Sequence, residues 1–124
     1  MRRTDQRRAA VVAIYQQDVT GDPAEPEGGE FARELVDGVR REQEALDGLI
    51  ERHSVGWPLD RIAPLERAIL RVALFELLHR LDVPAEVAID EAVESAKELC
   101  SAEAPGFVNG ILGAVLRDEE VPAR

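Results

Sequence analysis

The stretch from Leu59 to Leu81, LDRIAPLERAILRVALFELLHRL, decides the fold. Leu65, Ala68, Ile69, Val72 and Ala73 recur at helical steps and line one side of a helix, while Leu70, Leu74, Leu77 and Leu78 line the other. A helix that is apolar on two sides belongs at the centre of a helical body, with other helices covering it. Pro64 suits its first turn, where the missing N–H would have had no partner anyway.

The flanking segments read as the covering helices. On the C-terminal side, Asp82-Val83-Pro84 looks like a cap followed by an early proline. Ala85, Ala88, Ile89, Ala92, Val93 and Ala96 then form a small-residue face suited to close packing. Pro105 and Gly106 break the chain, and Phe107, Val108, Ile111, Leu112 and Val115 mark a last helix. On the N-terminal side, Phe31, Leu35, Val36 and Val39 form one stripe and Ala45, Leu46, Leu49 and Ile50 another, with a break expected between Gly38 and Glu42. Trp57-Pro58 closes this half. A Gly- and Pro-rich loop from Thr20 to Gly29 precedes it, and before that Ala10, Val11, Ile14 and Tyr15 share one face of a first helix, with Thr4 as its expected cap.

The expected fold is all-α: a bundle of about six to seven helices in one domain, 1–124, with packed halves of about 1–57 and 58–124. Composition agrees, since 45% of the 124 residues are hydrophobic but only 4% aromatic, which suits packed helices better than strands. No stretch is long or apolar enough to span a bilayer, and a lone Cys100 allows no internal disulfide, so a soluble, cytoplasmic protein is expected. Apolar surface on the central helix fits a homodimer, a protein partner or the other half of the fold equally well.

Charge is unevenly spread. The net charge is −10, which taken alone argues against a nucleic-acid ligand. Residues 1–20, however, hold Arg2, Arg3, Arg7 and Arg8 against Asp5 and Asp18, whereas residues 82–103 hold seven acids and one lysine. Such asymmetry fits two partners of opposite sign. Guanidinium groups bind phosphate through two parallel hydrogen bonds and also stack on bases, so arginines gathered on the first helical turns suit an RNA single strand. A solvated, charged tail is the competing reading.

Enzyme chemistry finds little support. His53 and His79 fall at expected helix ends, where a favourable interaction with the helix dipole is the commoner role. Asp90 and Glu94 share a helix face but lack the further ligands a metal would need. Cys100 has no cationic neighbour in sequence to activate it. No phosphate loop, nucleophile elbow or zinc-protease motif is present, and nothing calls for a cofactor.

Several blocks together resemble the NusB family. They are the arginine-rich opening that runs into RAAVVAIYQQD (8–18), then ERAILRVALFELL (66–78), DVPAEVAIDEAVESAK (82–97) and FVNGIL (107–112). Asp90 stands where the family has Asn, Leu99-Cys100 replaces an aromatic-Gly pair, and Thr4 and Asp5 interrupt the arginine run. The resemblance implies a scaffold that binds boxA RNA together with NusE, a small-subunit ribosomal protein, within an RNA polymerase antitermination complex. By position it implies that Arg2, Arg3, Arg7, Arg8, Tyr15, Glu103 and Phe107 serve RNA and that Glu66 contacts the protein partner. Asn109 and Gly110 are expected to act structurally, as a buried amide and a close-packing site. Two other functions compete: the RNA-binding module of an rRNA cytosine methyltransferase, and an interaction scaffold without RNA binding.

Overall fold

Proline and glycine set the boundaries of the helices. In a computed structural model describing residues 1–124, the elements are α1 (Arg3–Thr20), α2 (Glu30–His53), a 3-10 turn (Leu59–Arg61), α3 (Pro64–His79), α4 (Ala85–Leu99) and α5 (Ala104–Asp118). Five α-helices and one short turn therefore replace the six to seven helices expected. Gly21 ends α1 in the left-handed conformation, at φ 83°, and its N–H reaches the Gln17 carbonyl at 2.8 Å. Pro64 opens α3 with Ala63 extended before it, so the segment from Leu59 cannot run on as one helix.

Helix α2 is continuous through the expected break. Its stripe does not end at Val39 but resumes two turns later at Leu46 and Ile50, all three buried, while Ala45 points to solvent. Gly38 is there for packing. A Cβ built on it would lie 2.1 Å from Cζ of Phe75, so the absence of a side chain lets the Phe75 ring lie against the α2 backbone.

Helix α3 is the axle. Ten consecutive residues, Ala68 to Leu77, are buried, and α1, α2, α4 and α5 all pack on it. Its apolar faces are thus largely covered within the chain, with Leu65 and Leu78 left partly exposed near its ends. Helix α4 presents Ala88, Ala92, Ser95 and Ala96 to α3 and α5, as its small-residue pattern required. One core cluster of 28 buried residues draws on every helix, so both halves of the chain contribute to the same interior.

Two expected caps take other roles. Thr4 lies inside α1 and donates to Glu91 Oε1 on α4 at 2.6 Å. Asp82 accepts from Arg80 instead of capping α4, which begins after Pro84. In α5, Asn109 and Gly110 are exposed, so neither plays the interior part expected of it. The residues after α5 return along the body. Glu119 accepts from Arg52 and His53, and Arg124 donates from Nη2 to the Glu76 carbonyl at 3.0 Å and from Nε to the Val83 carbonyl at 2.7 Å. Arg124 is thereby a second donor to the Glu76 carbonyl, which also accepts from the Arg80 backbone N–H. No helix is long and apolar enough to cross a membrane.

Candidate nucleic-acid interface

The four N-terminal arginines lie on one helix end, yet the fold treats each differently. Side-chain exposure is 82% for Arg2, 48% for Arg3, 7% for Arg7 and 27% for Arg8. The positive end of the α1 dipole is an unfavourable place for cations, and no side chain caps it. Arginines maintained there need compensating anions, whether from the chain or from a ligand.

Arg7 is an interior residue. Its Nε and Nη2 donate to the two Glu76 carboxylate oxygens at 2.8 and 2.9 Å, and Nη1 reaches Glu91 at 3.4 Å. Glu76 itself is 1% exposed. The pair bolts α1 to α3 and α4, so Arg7 is not presented at the surface with its neighbours. Periodicity explains this: Arg7, Ala10, Val11 and Ile14 share the inward face of α1.

Arg3 lies over the Phe31 ring of α2, its guanidinium carbon 4.2 Å from the centroid, and Arg80 and Arg7 approach the same ring at 5.1 and 5.2 Å. Arg80, from the C-terminal end of α3, donates twice to Asp82, at 3.0 and 3.1 Å, and once to Glu34 at 2.9 Å. Hydrogen bonds from Arg80 hold the Asp82 carboxyl well below the usual carboxylate range, and Arg3 at 3.2 Å adds to the effect. The same partners, Asp82 before Glu34, push the Arg80 guanidinium further up. Asp82 is thus an anion shared by two arginines at the tip. Neither Phe31 nor Arg80 is legible as part of this tip in the sequence: Phe31 reads as core, and Arg80 stands far along the chain from Arg3 and Phe31. The Arg80-Leu81-Asp82 spacing is the only local signal.

At the opposite end of α3 a cleft of about 400 Å³ gathers Trp57, Arg61, Glu66, Glu103 and Phe107 above Ile62 and Ala63. Glu66 and Glu103 form no ion pair there, and Trp57 is 55% exposed. The span from Glu66 to His79 corresponds to about 20 Å of helix, so Glu103 and Phe107 join Glu66 at the end of α3 away from Arg3 and Arg80. Tyr15 is partly buried against the core and lines neither place. Cys100, near this end, has its thiol pushed up by burial first and by Glu66 second, the direction of an unreactive thiol. No three His, Cys, Asp or Glu side chains come together to hold a metal ion.

The fold and these two places define a class: a small all-helical module with an arginine-rich tip and an acid-rimmed aromatic cleft at opposite ends of one buried helix. The family model described as the NusB family matches residues 4–117. A transcription antitermination protein NusB of Rubrobacter xylanophilus is 47% identical over 90% of this chain and 88% of its own length. The structure of T. maritima NusB superposes with a TM-score of 0.89 at 31% identity, covering 98% of this chain and 94% of that one. A crystal structure of the antitermination factors NusB and NusE in complex with dsRNA contains a chain that matches with a TM-score of 0.82 at 26% identity, over 93% of this chain and 96% of that one. The chain belongs to the NusB family.

Proposed function

We propose that this protein is a transcription antitermination factor that binds boxA-type leader RNA together with NusE. The observation that carries the reading is the pair of exposed arginines, Arg2 and Arg3, on the first turn of α1, with Arg3 stacked on Phe31 beside Arg80; their pairs with Asp5 and Asp82 lie in solvent, where such pairs are weak and a phosphate competes for the guanidinium groups. The family adds what charge alone lacks, since one solved structure of a similar chain is a complex with NusE and dsRNA. Arg2 and Arg3 contact phosphate, Arg7 fixes the helix that carries them, and the cleft with Glu66, Glu103 and Trp57 takes the basic protein partner. Phe107 lines the same cleft. An acidic body then serves as a docking face for a basic ribosomal protein and steers its approach.

Titration of fluorescently labelled boxA RNA, with and without NusE, tests this. The expected result is weak binding alone and tighter binding with the partner. The double variant Arg2→Ala/Arg3→Ala binds RNA less tightly, and the slope of log K against log salt flattens by about 0.7 for each phosphate no longer neutralised, while NusE binding is unchanged. Equal RNA affinity with and without NusE removes the cooperative reading, and unchanged affinity in the double variant moves the RNA elsewhere.

A further inference from the structure

Each N-terminal arginine already has a carboxylate of its own chain: Asp5 for Arg2, Asp82 for Arg3, Glu76 for Arg7 and Glu98 for Arg8. These pairs differ in what holds them. Glu76 is buried and bidentate, and Asp82 is retained by Arg80 whether or not Arg3 is present. Arg8 differs from Arg3 and Arg7. Its only polar contact is Nη1 to Glu98 at 2.6 Å, and its Nε is buried with no acceptor. A buried donor without a partner makes a conformation costly, a cost that the solvent-exposed Arg2–Asp5 pair and the fully bonded Arg7 do not carry. Open clefts of about 540 and 300 Å³ flank the side chain, giving it room to turn outward.

We propose that Glu98 is a mask on Arg8, and that RNA phosphate must take the guanidinium from this carboxylate in order to bind. The proposal rests on the RNA-binding reading above. No covalent bond is made or broken. The carboxylate returns to water, where more than half of the side chain already lies, and the phosphate takes its place as the anion beside Arg8. The consequence is discrimination: an RNA with few other anchors does not displace Glu98, whereas one held at Arg2 and Arg3 does.

The test is a double-mutant cycle on boxA RNA affinity in the full chain, with Glu98→Gln, Arg8→Gln, both together, and Glu86→Gln as a control that removes an exposed, unpaired carboxylate of the same helix. Thermal unfolding verifies that each variant is folded. Glu98→Gln is expected to tighten RNA binding about twofold to fivefold, the worth of an exposed ion pair. Glu86→Gln should change it less, and Glu98→Gln should give no gain once Arg8 is gone. An equal gain from Glu86→Gln, or a gain that persists without Arg8, overturns the mask in favour of general repulsion; no gain at all overturns it outright. In each of those cases wild-type binding to RNA still stands, whereas absence of RNA binding in every variant and the wild type strikes the functional reading itself.

Discussion

At the scale of single residues, two arginines one helical turn apart, Arg3 and Arg7, have opposite fates. Arg7 faces inward and meets a carboxylate that is itself sealed from water, so removing either partner leaves a buried charge unpaired. Arg7→Ala or Glu76→Ala should lower stability by about 3–5 kcal/mol, measured by denaturant unfolding, because the stranded charge keeps its desolvation cost and forfeits its attraction. Arg3→Ala, at a half-exposed pair, should change stability by less than about 1 kcal/mol. If the two substitutions proved equally harmless, the buried pair would not be the bolt between α1 and α3. Alanine scanning of the arginine run for RNA affinity must therefore separate unfolding caused at Arg7 from weaker phosphate binding at Arg2, Arg3 and Arg8.

At the scale of elements, the packing of α2 on α3 depends on a missing side chain. Gly38→Ala introduces a methyl group where Phe75 already lies, and helix propensity alone would have favoured alanine there by about 1 kcal/mol. Overpacking opposes that gain, so the variant should be destabilised by about 1–3 kcal/mol. Trimming the ring should relieve it: Phe75→Leu combined with Gly38→Ala is expected to be less destabilised than the two separate costs added together. Strict additivity in that cycle would show that the ring and the glycine do not share one space.

At the scale of the whole molecule, the segment after α5 ties distant ends together. Glu119 joins the end of α2, and Arg124 reaches the end of α3 and the turn that carries Asp82. The hydrogen bond from His53, then that from Arg52, holds the Glu119 carboxyl below its ordinary value. A depressed folded value means that the tether is fully present above the ordinary carboxylate range, near pH 4.5, and is lost as the pH falls through the lower folded value. Backbone 15N relaxation should show residues 119–124 ordered at pH 6 and increasingly mobile as the pH is lowered below 4.5, and Glu119→Gln should already be mobile at pH 6. A tail equally ordered throughout would assign its anchoring to Arg124 and to Val121, which packs on the core.

Much of this protein follows from local pattern. The two-sided stripe of 65–78 places a central helix, the alanines of 85–96 place a close-packed one, and Pro64, Gly21 and Pro105 mark ends, because helix periodicity and backbone stereochemistry act over a few residues. The NusB-like blocks likewise stand in the linear order of residues. What the chain alone leaves open is partnership across distance. Gly38 reads as a break because only the approach of Phe75, thirty-seven positions away, reveals it as a notch. Arg7 reads as a surface cation because only the arrival of Glu76 and Glu91 makes its burial tolerable. Arg80 and Phe31 join the tip, and Glu103 and Phe107 leave it for the cleft with Glu66, for the same reason. Whether a charge faces water or another charge is an energy balance between desolvation and attraction, and the attraction exists only once helices distant in sequence have packed.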